Sequence, residues 1–254
     1  SNLLKGETPK LIDEWQDAPN LWDAVRDTVD SRSDVGLYIL TGSTVVDKKK
    51  IKHSGTGRIA RMKMFPMSLW ESKESSGEVS LRELFYNPDY SIDGAHSPLS
   101  VEDLIFLACR GGWPASLYAR TPKATLLTAV EYVGTLCADD ISRVDGVQRD
   151  ERTARMILRA WSRNISTLAK KSTMRADLVA SEEYNLSMDT FDDYVGAFNK
   201  LFVINDLEAW CPPIRNKSAI RSGLKREFTD PSIAVAALGA TPESLQTQLK
   251  TFGF

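Results

Sequence analysis

Histidine, cysteine and long apolar runs are scarce in this chain of 254 residues, and each shortage argues against a class of protein. With only His53 and His96, neither a histidine-based metal site nor a Ser-His-Asp triad is expected. The three cysteines, Cys109, Cys137 and Cys211, form no C-x-x-C pair, so the sequence predicts neither a zinc knuckle nor a disulfide framework. No apolar stretch approaches the roughly 20 residues of a membrane span, and no signal-peptide pattern opens the sequence. We therefore expect a cytoplasmic protein with no membrane contact.

The content of hydrophobic residues, 42%, is enough for one large or two ordinary domains with true cores. The formal net charge of −2 conceals a basic segment, residues 48–63, that contains no acid. Such a segment attracts anions; it can equally be a solvated loop that leads into a strand at Ile59–Phe65. Its cations are Lys48, Lys49, Lys50, Lys52, Arg58, Arg61 and Lys63.

A short apolar strand ends in two adjacent carboxylates, Asp13 and Glu14. In phosphate-loop hydrolases the first carboxylate of such a pair helps to hold Mg²⁺, and the next positions or deprotonates the attacking water. Those enzymes also carry an upstream loop, G-x-x-x-x-G-K-[ST], whose backbone N–H groups cradle the phosphates. This sequence contains no such loop, and only twelve residues precede Asp13. The pattern predicts a chain that starts inside an ATPase domain.

A strand–helix–strand pattern follows the acidic pair. Leu21, Val25 and Val29 share one face of a predicted helix, and Leu37–Leu40 is a buried strand that ends in Thr41-Gly42-Ser43. In a doubly wound sheet, polar residues at the carboxyl ends of neighbouring strands meet at the ligand-binding edge. We expect Ser43 to lie beside Asp13 and Glu14, where a hydroxyl can sense the terminal phosphate.

The acidic strand, the helix after it and the Thr41-Gly42-Ser43 turn resemble segments of the prokaryotic AAA-type ATPases that carry an uncharacterised C-terminal region. Two further segments, Gly57–Arg61 and Met64–Glu71, share this resemblance. The resemblance covers most of the chain. It implies a phosphate-loop domain, a helical and winged-helix middle and a nuclease-like C-terminal domain, so this chain is expected to be truncated at both ends. It implies that Arg58 or Arg61 serves as a sensor arginine or an arginine finger. In the sheet of that family the strand that bears the phosphate loop lies between the strand that ends at Thr41 and the one at Ile59–Phe65. Its absence would expose two strand edges, which favour a homo-oligomer.

The middle of the chain is predicted to be helical. Ser100-Val101-Glu102-Asp103 is a capping box that starts a helix, and Gly111-Gly112-Trp113-Pro114 ends it with a C-cap and a tight reversal. The resemblance implies that Trp113 packs against the ATPase core. The pattern is helical from Thr125 to Lys171.

Four arginines in this region recur at three- and four-residue steps, which places them on one face of a helix. Such a ladder can track phosphates; it can equally pair with Asp139-Asp140 or with another subunit, and the sequence leaves both readings open. The ladder consists of Arg152, Arg155, Arg159 and Arg163.

A winged helix-turn-helix is predicted at Asn164–Leu207: a helix at Ser166–Lys171, a connecting stretch with Leu178-Val179, a second helix at Ser187–Leu201 and a strand at Leu201–Leu207. The second helix carries acidic residues, which argues against insertion into the major groove of DNA. A basic patch that includes Lys217, Arg221 and Lys225 could hold a nucleic-acid backbone. We favour a scaffold role for this fold, so DNA is a candidate partner but not the favoured one.

The sequence thus predicts an α/β plus mainly α protein: a partial ATPase sheet, then a helical region with a winged helix-turn-helix. The expected function is that of an Mg-dependent, ATP-binding AAA-type ATPase acting as a switch, with Asp13 as the Mg²⁺ ligand. This chain alone is expected not to bind ATP, because the phosphate loop is missing. The alternative is a winged-helix nucleic-acid-binding regulatory module with a structural ATPase remnant. The predicted regions are an ATPase half at 1–76, a linker or insertion at 77–100, a helical region at 101–163, the winged helix at 164–240 and the start of another domain at 241–254.

Overall fold

Two short parallel strands and a connecting helix form the first part of the fold. The computed structural model describes residues 2–32, 34–45, 54–182, 185–210 and 223–252. Strand β1 (Lys10–Ile12) pairs in parallel with β2 (Tyr38–Leu40), and helix α1 (Asn20–Ser31) joins them. This strand, helix and strand follow the order that the sequence predicts. Their small core consists of Leu4, Trp22, Val25 and Leu37.

Helices make up most of the remaining described chain. The capping box is confirmed, because the Ser100 hydroxyl accepts from the Asp103 N–H and the Asp103 carboxylate accepts from the Ser100 N–H. A π-helical turn, Leu136–Asp140, continues the fifth helix into the sixth. The helices are α2 (Leu81–Tyr86), α3 (Val101–Arg110), α4 (Pro114–Leu117), α5 (Pro122–Thr135), α6 (Ile141–Arg143), α7 (Glu151–Ser162), α8 (Lys171–Glu182), α9 (Met188–Lys200), α10 (Pro231–Leu238) and α11 (Pro242–Phe252).

One hydrophobic core unites helices α5 to α10. Trp161, Phe191 and Phe198 are fully buried in it, and burial of each such side chain contributes about 1.5–3 kcal/mol. The core draws residues from both 101–163 and 164–240, and the division between these two regions stays a prediction.

Trp113 packs against this helical core, so the expectation that it contacts the ATPase region was wrong. Its ring lies 4.5 Å from that of Tyr132, and its indole N–H donates to Ser232 Oγ at 2.8 Å. The reversal at Gly111 explains the placement, because Gly111 caps α3 at φ 74° and turns the chain toward α10. The predicted C-cap is therefore confirmed.

The expected strand at Ile59–Phe65 does not form. No described strand lies alongside this segment to accept its hydrogen bonds; its side chains instead make separate contacts. Arg61 lies over the Trp22 ring, whereas Lys63 reaches the helical region and donates to Asn205 Oδ1 at 2.8 Å. The segment bridges the two parts of the molecule.

The helix predicted at Ser166–Lys171 was also wrong, since the observed helix α8 begins at Lys171 and includes Leu178. Ser166 has φ 61°, and its N–H donates to the Arg226 carbonyl, which holds the preceding segment in a turn. Leu178 is buried, so it faces the core instead of lying in a connection.

The predicted strand at Leu201–Leu207 is reduced to two isolated antiparallel bridges, Ile204 to Phe228 and Leu207 to Lys225. Phe202, at φ 58°, breaks the extended conformation that a continuous strand requires. The order of α8, α9 and the two bridges is compatible with a winged helix. The turn predicted at Cys211–Ile214 lies outside the described residues, so the winged helix stays a prediction.

No helix in the described ranges combines the length and the apolar character that a membrane crossing demands.

Candidate functional site

The carboxyl ends of β1 and β2 bring the acidic pair and the Thr41-Gly42-Ser43 turn together. Ile12 is in register with Leu40, so Asp13 and Thr41 are the next residues on each strand. The Thr41 hydroxyl donates to Asp13 Oδ1, and the Thr41 N–H donates to the Ile12 carbonyl at 3.0 Å. The Trp15 N–H closes the loop with a bond to the Thr41 carbonyl at 3.1 Å. Two short loops are thereby fixed to each other at one edge of the sheet.

Glu14 adopts a left-handed backbone conformation, with φ 49° and ψ 42°. This region is uncommon for a residue other than glycine and costs on the order of 1–2 kcal/mol. The turn lets Glu14 Oε2 accept from the Ser43 hydroxyl at 3.2 Å and from the Gln16 side-chain amide. Backbone strain of this kind often marks functional positions.

Gly42 allows the close contact between the two loops. A Cβ atom at this position would lie 2.4 Å from Gln16 Oε1 and 3.3 Å from Trp15 Cδ1. Any side chain would therefore displace Gln16, whose amide holds Glu14. Gln16 is a contributor that the sequence reasoning missed; its only sequence signal is its position two residues after Glu14.

The two arginines named from the sequence lie in different surroundings. The Arg61 guanidinium is 5.1 Å from the ring centroid of Trp22, and Trp22 is 4.9 Å from Trp15, so Arg61 is connected to the edge through two aromatic rings. Arg58 instead donates to Asp30 Oδ1 at 2.6 Å, near the C-terminal end of α1. The structure does not bring Arg58 to the carboxylates.

The edge offers hard oxygen ligands, which suit Mg²⁺. Asp13 and Glu14 are both exposed, and the hydroxyls of Thr41 and Ser43 lie beside them. Within the described ranges no group of three or more His, Cys, Asp or Glu residues could hold a metal ion. Mg²⁺ commonly takes only one or two carboxylates and completes its shell with water and phosphate oxygens, so these residues fit that ion as partial ligands.

The candidate nucleic-acid patch is only partly described. Lys217 and Arg221 lie outside the described residues. Lys225 is exposed, and its Nζ lies 3.2 Å from Glu227 Oε1.

The acids of α9 are partly neutralised by basic residues. Asp192 pairs with Lys171 at 2.8 Å, and Asp193 with Arg149 at 2.9 Å. These ion pairs weaken the argument that α9 repels phosphates.

Arg149 is a buried residue that the sequence analysis did not single out. It binds Asp145 and Asp193, and it lies between α6 and α9. Its partner Asp193 lies 44 residues further along the sequence, a separation that no local pattern can reveal.

Comparison with known families gives two matches on different parts of the chain. The model described as Domain of unknown function (DUF8612) matches residues 101–244, more than half of the sequence. The chain belongs to the DUF8612 family. In this DUF8612 protein, residues 2–73 match a second model, described as AAA domain, and form an AAA-type ATPase-like region. A search of curated proteins and a search of solved structures each found no match.

Proposed function

We propose that residues 2–73 form the Mg-nucleotide-facing edge of an AAA-type ATPase that uses ATP hydrolysis as a switch. The observation that carries this proposal is the pair of side-chain contacts, Asp13 with Thr41 and Glu14 with Ser43, at the shared carboxyl edge of two parallel strands. The match of the same residues to the AAA domain family supports it.

Each residue of the edge has a proposed role. Asp13 would hold Mg²⁺, and the ion would neutralise charge that develops on the transferred phosphoryl group. Glu14 orients or deprotonates the attacking water, and the Ser43 hydroxyl and the Gln16 amide fix its carboxylate. Thr41 orients the Asp13 carboxylate.

The arginine role is proposed for Arg61 in preference to Arg58. Arg61 lies on the aromatic pair that borders the edge, and no salt bridge holds it within the described part of the chain. Arg58 could serve only after it leaves Asp30.

Nucleotide affinity in this class comes largely from the phosphate loop, which these 254 residues do not contain. We therefore expect no micromolar binding of Mg-ATP to this chain alone, and isothermal titration calorimetry measures it directly. A saturable micromolar isotherm would show that the proposed dependence on a phosphate loop is wrong.

The role of Glu14 is testable in a form of the protein that includes a phosphate loop. Glu14→Gln keeps the shape of the side chain and should preserve nucleotide binding while kcat falls by about two orders of magnitude or more. Asp17→Asn, at a nearby exposed acid, is the matched control and should leave kcat unchanged. Unchanged hydrolysis in Glu14→Gln would reduce Glu14 to a structural residue.

The alternative proposal is a nucleic-acid-binding regulatory module built on residues 164–240. The order of α8, α9 and the antiparallel bridges supports it. This module would require neither Asp13 nor Glu14. A fall in kcat for ATP hydrolysis in Glu14→Gln therefore favours the ATPase proposal over this alternative.

A further inference from the structure

Three arginines on the solvent face of α7 and a fourth at its C-cap form one row. Arg152, Arg155, Arg159 and Arg163 are all exposed, and their positions fall within roughly 80° of one another around the helix axis. At 1.5 Å per residue, the row is about 16 Å long. The opposite face of α7 is buried in the helical core, so the orientation of the row is fixed.

Few acids compete for these guanidinium groups. Arg155 pairs with Glu151 at 2.7 Å, whereas Arg152, Arg159 and Arg163 form no salt bridge within the described part of the chain. Asp150 lies at the start of the row, but its carboxylate caps α7 by accepting from the Thr153 N–H and hydroxyl. The alternative partners predicted from the sequence, Asp139-Asp140, are not bound to the row.

No aromatic residue lines the groove beside the row in the described part of the chain. The row borders this groove of about 580 Å³ between α5, α7 and α10, which is lined by Val133, Met156, Ala236 and Ala237 in addition to the charged residues. A Cβ atom on Gly134 would lie 3.9 Å from Arg155 Nη2, so Gly134 is close to this guanidinium. These aliphatic side chains leave room for a nucleic-acid backbone, but they provide no aromatic ring on which unpaired bases could stack.

We propose that α7 binds the phosphate backbone of duplex nucleic acid, without reading its sequence. Guanidinium groups match phosphate oxygens in a bidentate geometry, and all four cations of the row are arginine. A row of one charge sign on a helix face follows a regularly charged polymer better than an acidic peptide of irregular spacing. The proposal uses none of the residues of the predicted patch, Lys217, Arg221 and Lys225, and it does not depend on ATPase activity.

The test is fluorescence anisotropy of a short labelled duplex of mixed sequence with the full 254-residue chain. Three or four phosphate contacts predict a slope of about −2.7 to −3.6 in log K against log salt, so a rise from about 50 to about 150 mM salt should weaken binding at least about 20-fold. Duplexes of different sequence should bind equally.

Neutralisation of the unpaired arginines, Arg152→Gln/Arg159→Gln/Arg163→Gln, should weaken binding at least tenfold and reduce the salt slope by about three. The control, Arg82→Gln/Arg120→Gln/Lys123→Gln, removes the same charge from exposed positions off the row and should change affinity less than about twofold. All six changes are at exposed sites, and circular dichroism verifies that both variants fold.

A gain-of-function variant gives an independent readout. Glu151→Gln frees Arg155 from its ion pair, so duplex binding should strengthen and the salt slope should increase by about one. Glu102→Gln removes an exposed acid from α3 and should leave the slope unchanged.

Four outcomes would overturn the proposal: no duplex binding at low salt, equal losses in the two triple variants, tighter binding of single strands than of duplex, or binding of polyglutamate in place of the duplex. The last outcome would assign the row to an acidic protein partner.

Discussion

Arg149 provides the sharpest test of how the helical region is held together. Its side chain is only 1% exposed, and its guanidinium donates to Asp145, to Asp193 and to the Ile141 carbonyl at distances of 2.6–3.1 Å. Those bonds use all five guanidinium N–H groups. Arg149→Met keeps much of the length of the side chain but removes the charge and every donor.

The expected loss of unfolding free energy in Arg149→Met depends on the contacts that the two aspartates keep. Breaking a buried ion pair by removal of one partner costs about 3–5 kcal/mol. Asp145 keeps a bond from Lys200 at 2.7 Å, and Asp193 is 48% exposed, so water compensates part of the loss. We therefore expect Arg149→Met to cost about 3 kcal/mol, the lower end of that range, whereas the total unfolding free energy of a protein is about 5–15 kcal/mol.

Urea unfolding followed by circular dichroism measures this loss. If the unfolding free energy falls by about 2 kcal/mol per M urea, the urea concentration at the midpoint of unfolding should fall by about 1.5 M. The control is Arg155→Met, which breaks an exposed pair with Glu151 and should cost at most about 0.5 kcal/mol. If Arg149→Met destabilises the protein no more than this control, the network does not stabilise the fold as we infer.

Three further results are expected. Hydrogen bonds from the Arg149 guanidinium, opposed by some desolvation, lower the pKa of Asp145, so the folded state holds this proton less tightly than the unfolded state. The contribution of Asp145 to stability is therefore present above about pH 4 and should be lost as the pH falls further. Urea unfolding at a series of acid pH values should show a smaller loss in Arg149→Met. A Cβ on Gly112 would lie 2.2 Å from the Met67 carbonyl oxygen, so Gly112→Ala should abolish the hydrogen-exchange protection of the Met67 amide, and unchanged protection would refute the contact. Burial raises the pKa of the fully buried Cys137 thiol to about 12, so alkylation at pH 8, read by mass spectrometry, should modify it only after unfolding.

The part of the fold that follows local rules was predictable from the sequence. Asp13 and Glu14 come directly after one strand and Ser43 shortly after the next, and parallel strands end at the same edge of a sheet. The capping box at Ser100 depends on residues three positions apart, and it formed as predicted.

Elements that depend on distant partners were not predictable. Ile59–Phe65 has the apolar content of a strand but no neighbouring strand to pair with. The boundary of α8 is set by Arg226, whose carbonyl binds the Ser166 N–H from 60 residues away in sequence. No local periodicity carries such information.

The most direct test of the central claim, that the carboxyl edge of β1 and β2 is a metal-nucleotide edge, is a Mn²⁺ titration of the isotope-labelled chain followed by NMR. Mn²⁺ occupies oxygen sites of the kind that Mg²⁺ prefers and broadens signals from nearby amides. We predict that the amides of Trp15, Thr41 and Gly42 broaden first, that Asp13→Asn abolishes this preference, and that Asp17→Asn preserves it. Broadening that begins elsewhere in the molecule, or that persists unchanged in Asp13→Asn, would contradict the account.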